Sequence, residues 1–91
     1  MAQTTLREVP ALWRSRTPFR GNSIRGIEGA SYELGQLPVS WRVQYEATRE
    51  EIVYTVLSYS TPIAWVLSNG EEIKPPVKYS VTTSKHQGRL Y

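Results

Sequence analysis

The segment from Ile52 to Leu67, IVYTVLSYSTPIAWVL, runs for sixteen residues without a charged side chain. β-Branched and aromatic residues dominate its first half, and both alternating faces of that half are apolar. A strand that is apolar on both faces is typical of the centre of a sheet. The segment is too short to span a bilayer and contains Ser, Thr and Pro. It therefore predicts a central strand at residues 52–59, a tight turn at Ser60-Thr61-Pro62 and a second strand at residues 63–67.

The residues that follow predict the rest of an antiparallel meander. Asn69-Gly70 is a strong hairpin signal and suits a type I′ turn. Residues 71–74 are expected to pair back on the preceding strand. Pro75-Pro76 interrupts this pairing, and residues 77–81 then resume as an edge strand.

Upstream of the meander, the sequence predicts one helix. Leu37, Trp41 and Tyr45 fall at i, i+4 and i+8, which places them on one helical face. Pro38 suits the first turn of a helix, and the helix is expected to cover residues 37–50. The glycine spacing before it favours two short strands, at residues 23–27 and 31–34.

These elements predict a single α+β domain at residues 19–91, in which a small antiparallel β-meander of three to four strands packs against one helix. The chain has 91 residues, which is one domain in size. It contains no cysteine, so disulfides and thiolate chemistry are excluded, which fits a cytoplasmic protein. Residues 1–20 contain no apolar run of signal-peptide length.

Charge is distributed unevenly along the chain. Residues 1–27 hold five Arg and one Glu, residues 28–72 hold two Arg and seven Glu, and residues 73–91 hold three Lys and one Arg. Two basic ends therefore flank an acidic middle. If the ends meet in space, they form a basic patch that attracts a polyanion. The alternative is that the ends only neutralise the middle of the chain.

The first eighteen residues are predicted to form a basic, partly flexible N-terminal arm. Arg14 and Arg16 are its candidate phosphate contacts. Trp13 is its candidate partner-binding residue, because an aromatic ring among arginines can stack on a base or on a protein. The alternative is that Trp13 anchors the arm to its own domain.

Near the other end of the chain, hydrogen-bonding side chains are concentrated in a cluster made of Thr82, Thr83, Ser84, Lys85 and His86. Ser84 and Gln87 fit a capping box at the start of a short helix. Exposed backbone N–H groups, hydroxyls and a cation at such a position can hold a phosphate. The alternative is that the hydroxyl groups only cap the helix.

Catalysis and metal binding have few candidate residues. The chain has no Asp and no Cys, and His86 is its only histidine. Nucleophile–base pairs and metal-ligand clusters need more of these side chains. The sequence therefore predicts a protein that is not an enzyme and has no cofactor or metal.

Two segments resemble a family of small proteins of unknown function from bacteriophages, especially actinobacterial phages, and their hosts. That family shares Y-S-Y-x-T-P-I-A-W and Y-S-x-T-T-S-[KR]-H-Q, which are matched here at Ser58–Trp65 and Tyr79–Gln87. GQLPVSWRVQY is similar to its L-P-x-x-[WY]-R segment. The resemblance covers about residues 35–90 and implies a phage-type accessory protein of the host cell cytoplasm. It also implies that these motif residues form either a signature surface or the fold core.

Together these observations predict a non-catalytic accessory protein that binds a phosphate-bearing partner, with nucleic acid the first choice. The alternative is a protein-interaction module that binds and modulates a host protein. A third possibility is that the protein sequesters a nucleotide. No membrane partner is expected.

Overall fold

The computed structural model describes residues 6–21, 23–76, 87 and 90. Within these residues the chain forms two α-helices and five β-strands, with 3-10 turns at Leu6–Glu8 and Arg49–Glu51. In chain order the elements are α1 (Val9–Ser15), β1 (Phe19–Arg20), β2 (Ile24–Glu28), α2 (Val39–Ala47), β3 (Ile52–Ser58), β4 (Thr61–Leu67) and β5 (Glu72–Ile73).

The five strands form one antiparallel sheet in the order β1-β2-β3-β4-β5. The α+β class and the antiparallel meander are therefore confirmed. The predicted inventory of three to four strands and one helix was too small for the described residues. It did not count α1, where the sequence suggested only a possible short helical turn at residues 10–15. It also did not include β1, which at two residues is too short to produce an alternating pattern.

The two faces of the sheet carry separate apolar clusters, because successive residues of a strand point to opposite faces. One face is covered by α1, and its cluster contains Val9, Trp13, Phe19, Ile24, Tyr54, Val56, Ile63, Ala64, Val66 and Leu90. The other face is covered by α2, and its cluster contains Leu37, Tyr45, Ile52, Trp65 and Ile73. Burial on both faces and the middle position of β3 in the sheet confirm the central strand predicted at residues 52–59.

The helix α2 is shorter than the predicted span of residues 37–50. Pro38 lies just outside it with extended ψ of 151°, and its carbonyl accepts hydrogen bonds from the backbone N–H groups of Trp41 and Arg42, both at 2.9 Å. Leu37 precedes the helix and is nevertheless buried. After Ala47 the chain tightens into the 3-10 turn that leads to β3.

The strand predicted at residues 31–34 is a loop. The Ser31 hydroxyl accepts a hydrogen bond from the Glu33 N–H (3.0 Å) and donates one to the Glu33 carbonyl (2.9 Å). Local bonds of this kind between a side chain and the backbone replace the ladder of a strand.

The turn between β3 and β4 lies one to two residues earlier than predicted. Thr61 and Pro62 already belong to β4, and the turn is Tyr59-Ser60, with Tyr59 in the left-handed region at φ 58°. Pro62 pairs with Leu57 where the register between the two strands shifts. A proline that cannot donate to the ladder is tolerated at such an irregularity.

The β4–β5 hairpin is present, but its turn is not type I′. The Gly70 N–H donates to the Leu67 carbonyl (2.9 Å), so Ser68 and Asn69 are the central residues and Gly70 follows them at φ 89°. Neither Ser68 nor Asn69 has a positive φ, which type I′ requires at both central positions. The arrangement fits a type I turn followed by a glycine bulge.

The edge strand predicted at residues 77–81 lies outside the described residues. In the part of the chain that the structure describes, no helix is long and apolar enough to cross a membrane.

Candidate anion-binding site

Trp13, the predicted partner-binding residue, lies inside the fold. It is 3% exposed, and its ring packs 6.0 Å from that of Tyr54, between centroids. The guanidinium carbon of Arg16 lies 4.9 Å from the Trp13 ring centroid. Of the two roles proposed for Trp13, the structure shows the one in which it anchors its own segment to the sheet.

Arg16 connects α1 to the far edge of the sheet. It occupies the C-terminal end of the helix in the left-handed region, with φ 56°, and its Nη2 donates to Glu72 Oε2 on β5 at 2.6 Å. This hydrogen bond lowers the pKa of the Glu72 carboxyl group below its ordinary value. Lys74 Nζ lies 3.6 Å from the other oxygen of the same carboxylate. Arg16, a predicted phosphate contact, is therefore engaged in an internal ion pair.

Arg14, the other predicted phosphate contact in this segment, is exposed on α1. Its Nε donates to the Pro10 carbonyl of the same helix at 3.3 Å. Leu90 shares an apolar cluster with Val9 and Trp13, so residues from the two basic ends of the chain do meet on this face. The predicted phosphate cluster at residues 82–86 lies outside the described residues.

A basic surface lies on the β1–β2 hairpin, at the edge of the sheet opposite β5. Arg20 on β1 pairs directly with Arg25 on β2, and directly opposed residues of an antiparallel pair project from the same face. Both arginines line an open pocket of about 290 Å³ together with Gly21, Ser23, Ile24 and Tyr59. No carboxylate is among these lining residues.

The two arginines of this corner pocket are held differently. Arg25 forms an ion pair with Glu33 in the loop before α2, while its Nε is buried without a hydrogen-bond acceptor. Arg20 is exposed and makes no hydrogen bond or ion pair with another described residue. The corner pocket thus presents one guanidinium that no other described residue pairs with, beside one that is partly neutralised.

The aromatic wall of the corner pocket is Tyr59, at the turn after β3. Its backbone N–H donates to the Ser23 carbonyl at 2.7 Å, which ties the β3–β4 turn to the β1–β2 turn. Its side chain is 59% exposed. A large ring that is more than half exposed at the wall of a pocket can contact a planar ligand.

The sequence analysis missed this pocket, although a signal for it was present. RGNSIR, residues 20–25, combines a turn-forming Gly-Asn pair with an arginine on each side. Only the strand register places those two arginines opposite each other. Elsewhere among the described residues, no group of three or more His, Cys, Asp or Glu side chains could hold a metal ion.

The Ser58–Trp65 motif is largely part of the interior. Thr61, Pro62 and Trp65 are buried, and the Thr61 hydroxyl accepts a 2.9 Å hydrogen bond from the backbone N–H of Gln36. Within this motif, the buried residues serve the core, and Tyr59 is its large exposed side chain.

The fold and the corner pocket define a small α+β domain with a sheet buried on both faces and a basic pocket at one edge. The chain belongs to the DUF8033 family, a family of unknown function that it matches over residues 8–91. The match includes α1 as well as the sheet. No curated protein and no solved structure matches the chain significantly.

Proposed function

We propose that this protein is a non-catalytic binding protein for a phosphate-bearing partner, with nucleic acid as the preferred one. The observation that carries the proposal is the direct cross-strand pairing of Arg20 with Arg25 at a pocket whose described lining residues include no carboxylate. Guanidinium groups bind phosphate oxygens through several parallel N–H donors.

The arginine pair is unfavourable for the fold by itself. Like charges directly opposite each other in a sheet are destabilising. A pair of opposite charges at the same positions would instead stabilise the sheet by about 0.2–1 kcal/mol. The buried Arg25 Nε adds a donor with no described acceptor, which also has a cost. Residues that lower stability locally are expected where a protein binds its ligand. A bound phosphate would relieve the repulsion between the two guanidinium groups.

The exposed arginines of the N-terminal segment support the same function from the other face of the sheet. Arg7 and Arg14 are both exposed. Contacts between exposed arginines and the phosphate backbone of a nucleic acid add affinity without sequence preference. The lack of Asp and Cys in the chain supports binding rather than catalysis.

The proposal is tested by measuring the affinity of labelled oligonucleotides by fluorescence anisotropy across a salt series. The double variant Arg20→Gln/Arg25→Gln removes the pair from the corner pocket. Its matched control is Arg7→Gln/Arg14→Gln, which removes the same charge from the other face. Loss of two phosphate contacts makes the slope of log affinity against log salt shallower by about 1.4 units for a single strand.

A shallower slope in the pocket variant with a smaller change in the control supports the corner pocket as the principal contact. The reverse result would move the contact to α1 and the N-terminal segment. Lack of binding by the intact protein to any polyanion at low salt would contradict the proposal.

A protein-interaction module is the second candidate, because two apolar side chains of α2 are exposed. Val39 and Val43 are 75% and 65% exposed, and their spacing of four residues places them on one side of the helix. Exposed apolar residues on one helical face can contact a partner protein. Capture from a lysate with and without nuclease separates the candidates, because a protein partner held directly survives nuclease treatment.

A further inference from the structure

We infer that the ligand of the corner pocket is a single-stranded nucleic acid, with an unpaired base stacked on Tyr59 and the adjacent phosphate held by Arg20 and Arg25. This inference rests on the proposed function and narrows it to one class of nucleic acid. It follows from the arrangement of the ring, the two guanidinium groups and the size of the pocket.

The first step is the position of the ring beside the arginines. Tyr59 lines the same pocket as Arg20 and Arg25. A nucleotide unit has an anionic phosphate and a flat base a few ångströms apart, and these call for a cation and an aromatic face in one pocket. Proteins that bind single strands combine these two features, with bases stacked on aromatic side chains.

The second step is the fixed backbone position of Tyr59. The residue is in the left-handed region at φ 58°, which is uncommon for a bulky side chain. The hydrogen bond from its N–H to the Ser23 carbonyl holds this conformation and keeps the side chain beside the β1–β2 turn. Strained residues of this kind are concentrated at binding sites.

The third step is size. A pocket of about 290 Å³ is at the lower end of the range for small-molecule sites. A pocket of this size suits a single nucleotide unit better than a whole duplex. In a duplex the base faces are covered by their neighbours, so the ring of Tyr59 could reach only an unstacked base.

The experiment compares three kinds of ligand on the full chain: single strands of oligo(dT) and oligo(rU), a blunt duplex of equal length, and inorganic polyphosphate, which has the charge without bases. Tyr59→Leu removes the ring and keeps apolar bulk, while Tyr59→Phe keeps the ring. Melting midpoints of both variants verify that they are folded.

We expect the protein to bind the single strands about 10-fold or more tightly than the duplex. Tyr59→Leu should weaken single-strand binding by about 5- to 160-fold, which corresponds to the free energy of one base stacked on an aromatic side chain. The same variant should leave polyphosphate binding unchanged, and Tyr59→Phe should keep single-strand affinity. Oligonucleotides carrying 5-iodouracil should crosslink to Tyr59 of the unaltered protein under ultraviolet light, which tests the contact even if a variant does not fold.

The outcomes distinguish this inference from the proposed function. Equal binding of duplex and single strand, an unchanged affinity in Tyr59→Leu, or a crosslink that maps elsewhere would overturn the stacking role and leave the phosphate site in place. Lack of binding to all three ligands would overturn both.

Discussion

Arg16 Nη2 donates a 2.6 Å hydrogen bond to Glu72 Oε2, which joins the end of the first helix to the last strand described. The same guanidinium group donates through Nη1 to the Trp13 carbonyl at 2.6 Å and lies over the Trp13 ring. The Thr17 N–H also donates a hydrogen bond to the Leu12 carbonyl at 3.0 Å, at the C-terminal end of the helix. These contacts hold α1 against the sheet and offset the left-handed backbone of Arg16.

The Arg16–Glu72 pair should make the stability of the fold depend on pH in the acid range. The hydrogen bond from Arg16 lowers the pKa of Glu72 from its ordinary value of 4.5. A carboxyl group with a lowered pKa stabilises the fold above its unfolded pKa, and this contribution is lost as the pH falls through the folded pKa. Both side chains are about one-third exposed, so we expect a contribution of about 0.5–1 kcal/mol at neutral pH after screening by solvent.

The measurement is the free energy of unfolding by urea between pH 7 and pH 2. Glu72→Gln should lower stability at pH 7 and flatten the loss of stability in acid. Glu71→Gln, a change to the exposed neighbour, is the matched control and should leave the profile unaltered. A Glu72→Gln profile that runs parallel to that of the unaltered protein would contradict the assignment.

Tyr45 forms a buried hydrogen-bond network beneath α2, and its loss should be costly. The Tyr45 hydroxyl accepts from the Ser31 N–H at 2.7 Å and is 2.9 Å from Thr55 Oγ1. Tyr45→Phe keeps the ring but leaves the Ser31 N–H without its partner, which should lower the unfolding free energy by about 1–3 kcal/mol. The matched control is Tyr32→Phe, because Tyr32 is 93% exposed and should change stability by less than about 0.5 kcal/mol. Equal losses of stability in Tyr45→Phe and Tyr32→Phe, measured by thermal unfolding, would show that the hydrogen-bond network contributes little to the stability of the fold.

Gly70 is required for its backbone conformation and not for lack of space. Its φ is 89°, and a Cβ atom placed on it meets nothing within 4 Å. Gly70→Val should therefore lower stability by about 1–2 kcal/mol through backbone strain alone, since a β-branched residue resists positive φ. Gly70→Asn is the control, because asparagine tolerates the left-handed region better and should recover much of the loss. An unchanged melting midpoint in Gly70→Val would remove this turn from the fold.

The centre of the fold was predictable because its signals are local. Two-sided apolar character identified the strands that became β3 and β4, and the hairpin signal at Asn69-Gly70 located the turn before β5. Turn type was not predictable in the same way, since it depends on which carbonyl the Gly70 N–H reaches. The strand predicted at residues 31–34 failed because Ser31 bonds to its own neighbour, which competes with strand pairing.

The N-terminal segment shows how tertiary packing can override composition. The arginines of this segment suggested a basic, partly flexible arm at residues 1–18, and within it Val9 is fully buried and Trp13 nearly so. Truncation of residues 1–18 would therefore remove part of the core along with the charges. Substitution of Arg7 and Arg14 is the sharper test, because both are exposed and their loss leaves the packing of α1 in place.

The corner pocket could not be read from the sequence for a similar reason. Arg20 and Arg25 are separated by four residues in the chain, and only the observed register makes them opposite partners. Tyr59 joins them because β3 ends beside the β1–β2 turn. Sequence spacing alone does not specify either relationship.

Glu33 provides a test in which binding should improve. Its carboxylate forms an ion pair with Arg25 and therefore competes with any anion at the corner pocket. Glu33→Gln should raise the affinity for a phosphate-bearing ligand by about 2- to 5-fold, since an exposed ion pair is worth about 1 kcal/mol or less. The change should be largest at low salt, where surface charges are least screened.

The matched control for this gain is Glu28→Gln on the same strand. Glu28 is exposed and lies three residues from Arg25, roughly 10 Å along the strand. At about 0.1 M salt, interactions between exposed charges are largely screened beyond about 10 Å. The Glu28 charge should therefore have little effect on anion binding at the pocket. Anisotropy titrations of both variants with a labelled oligonucleotide make the comparison. If Glu28→Gln and Glu33→Gln raise affinity equally, the effect is one of net charge and Arg25 has no local role. A selective gain in Glu33→Gln places the bound anion at the arginine pair.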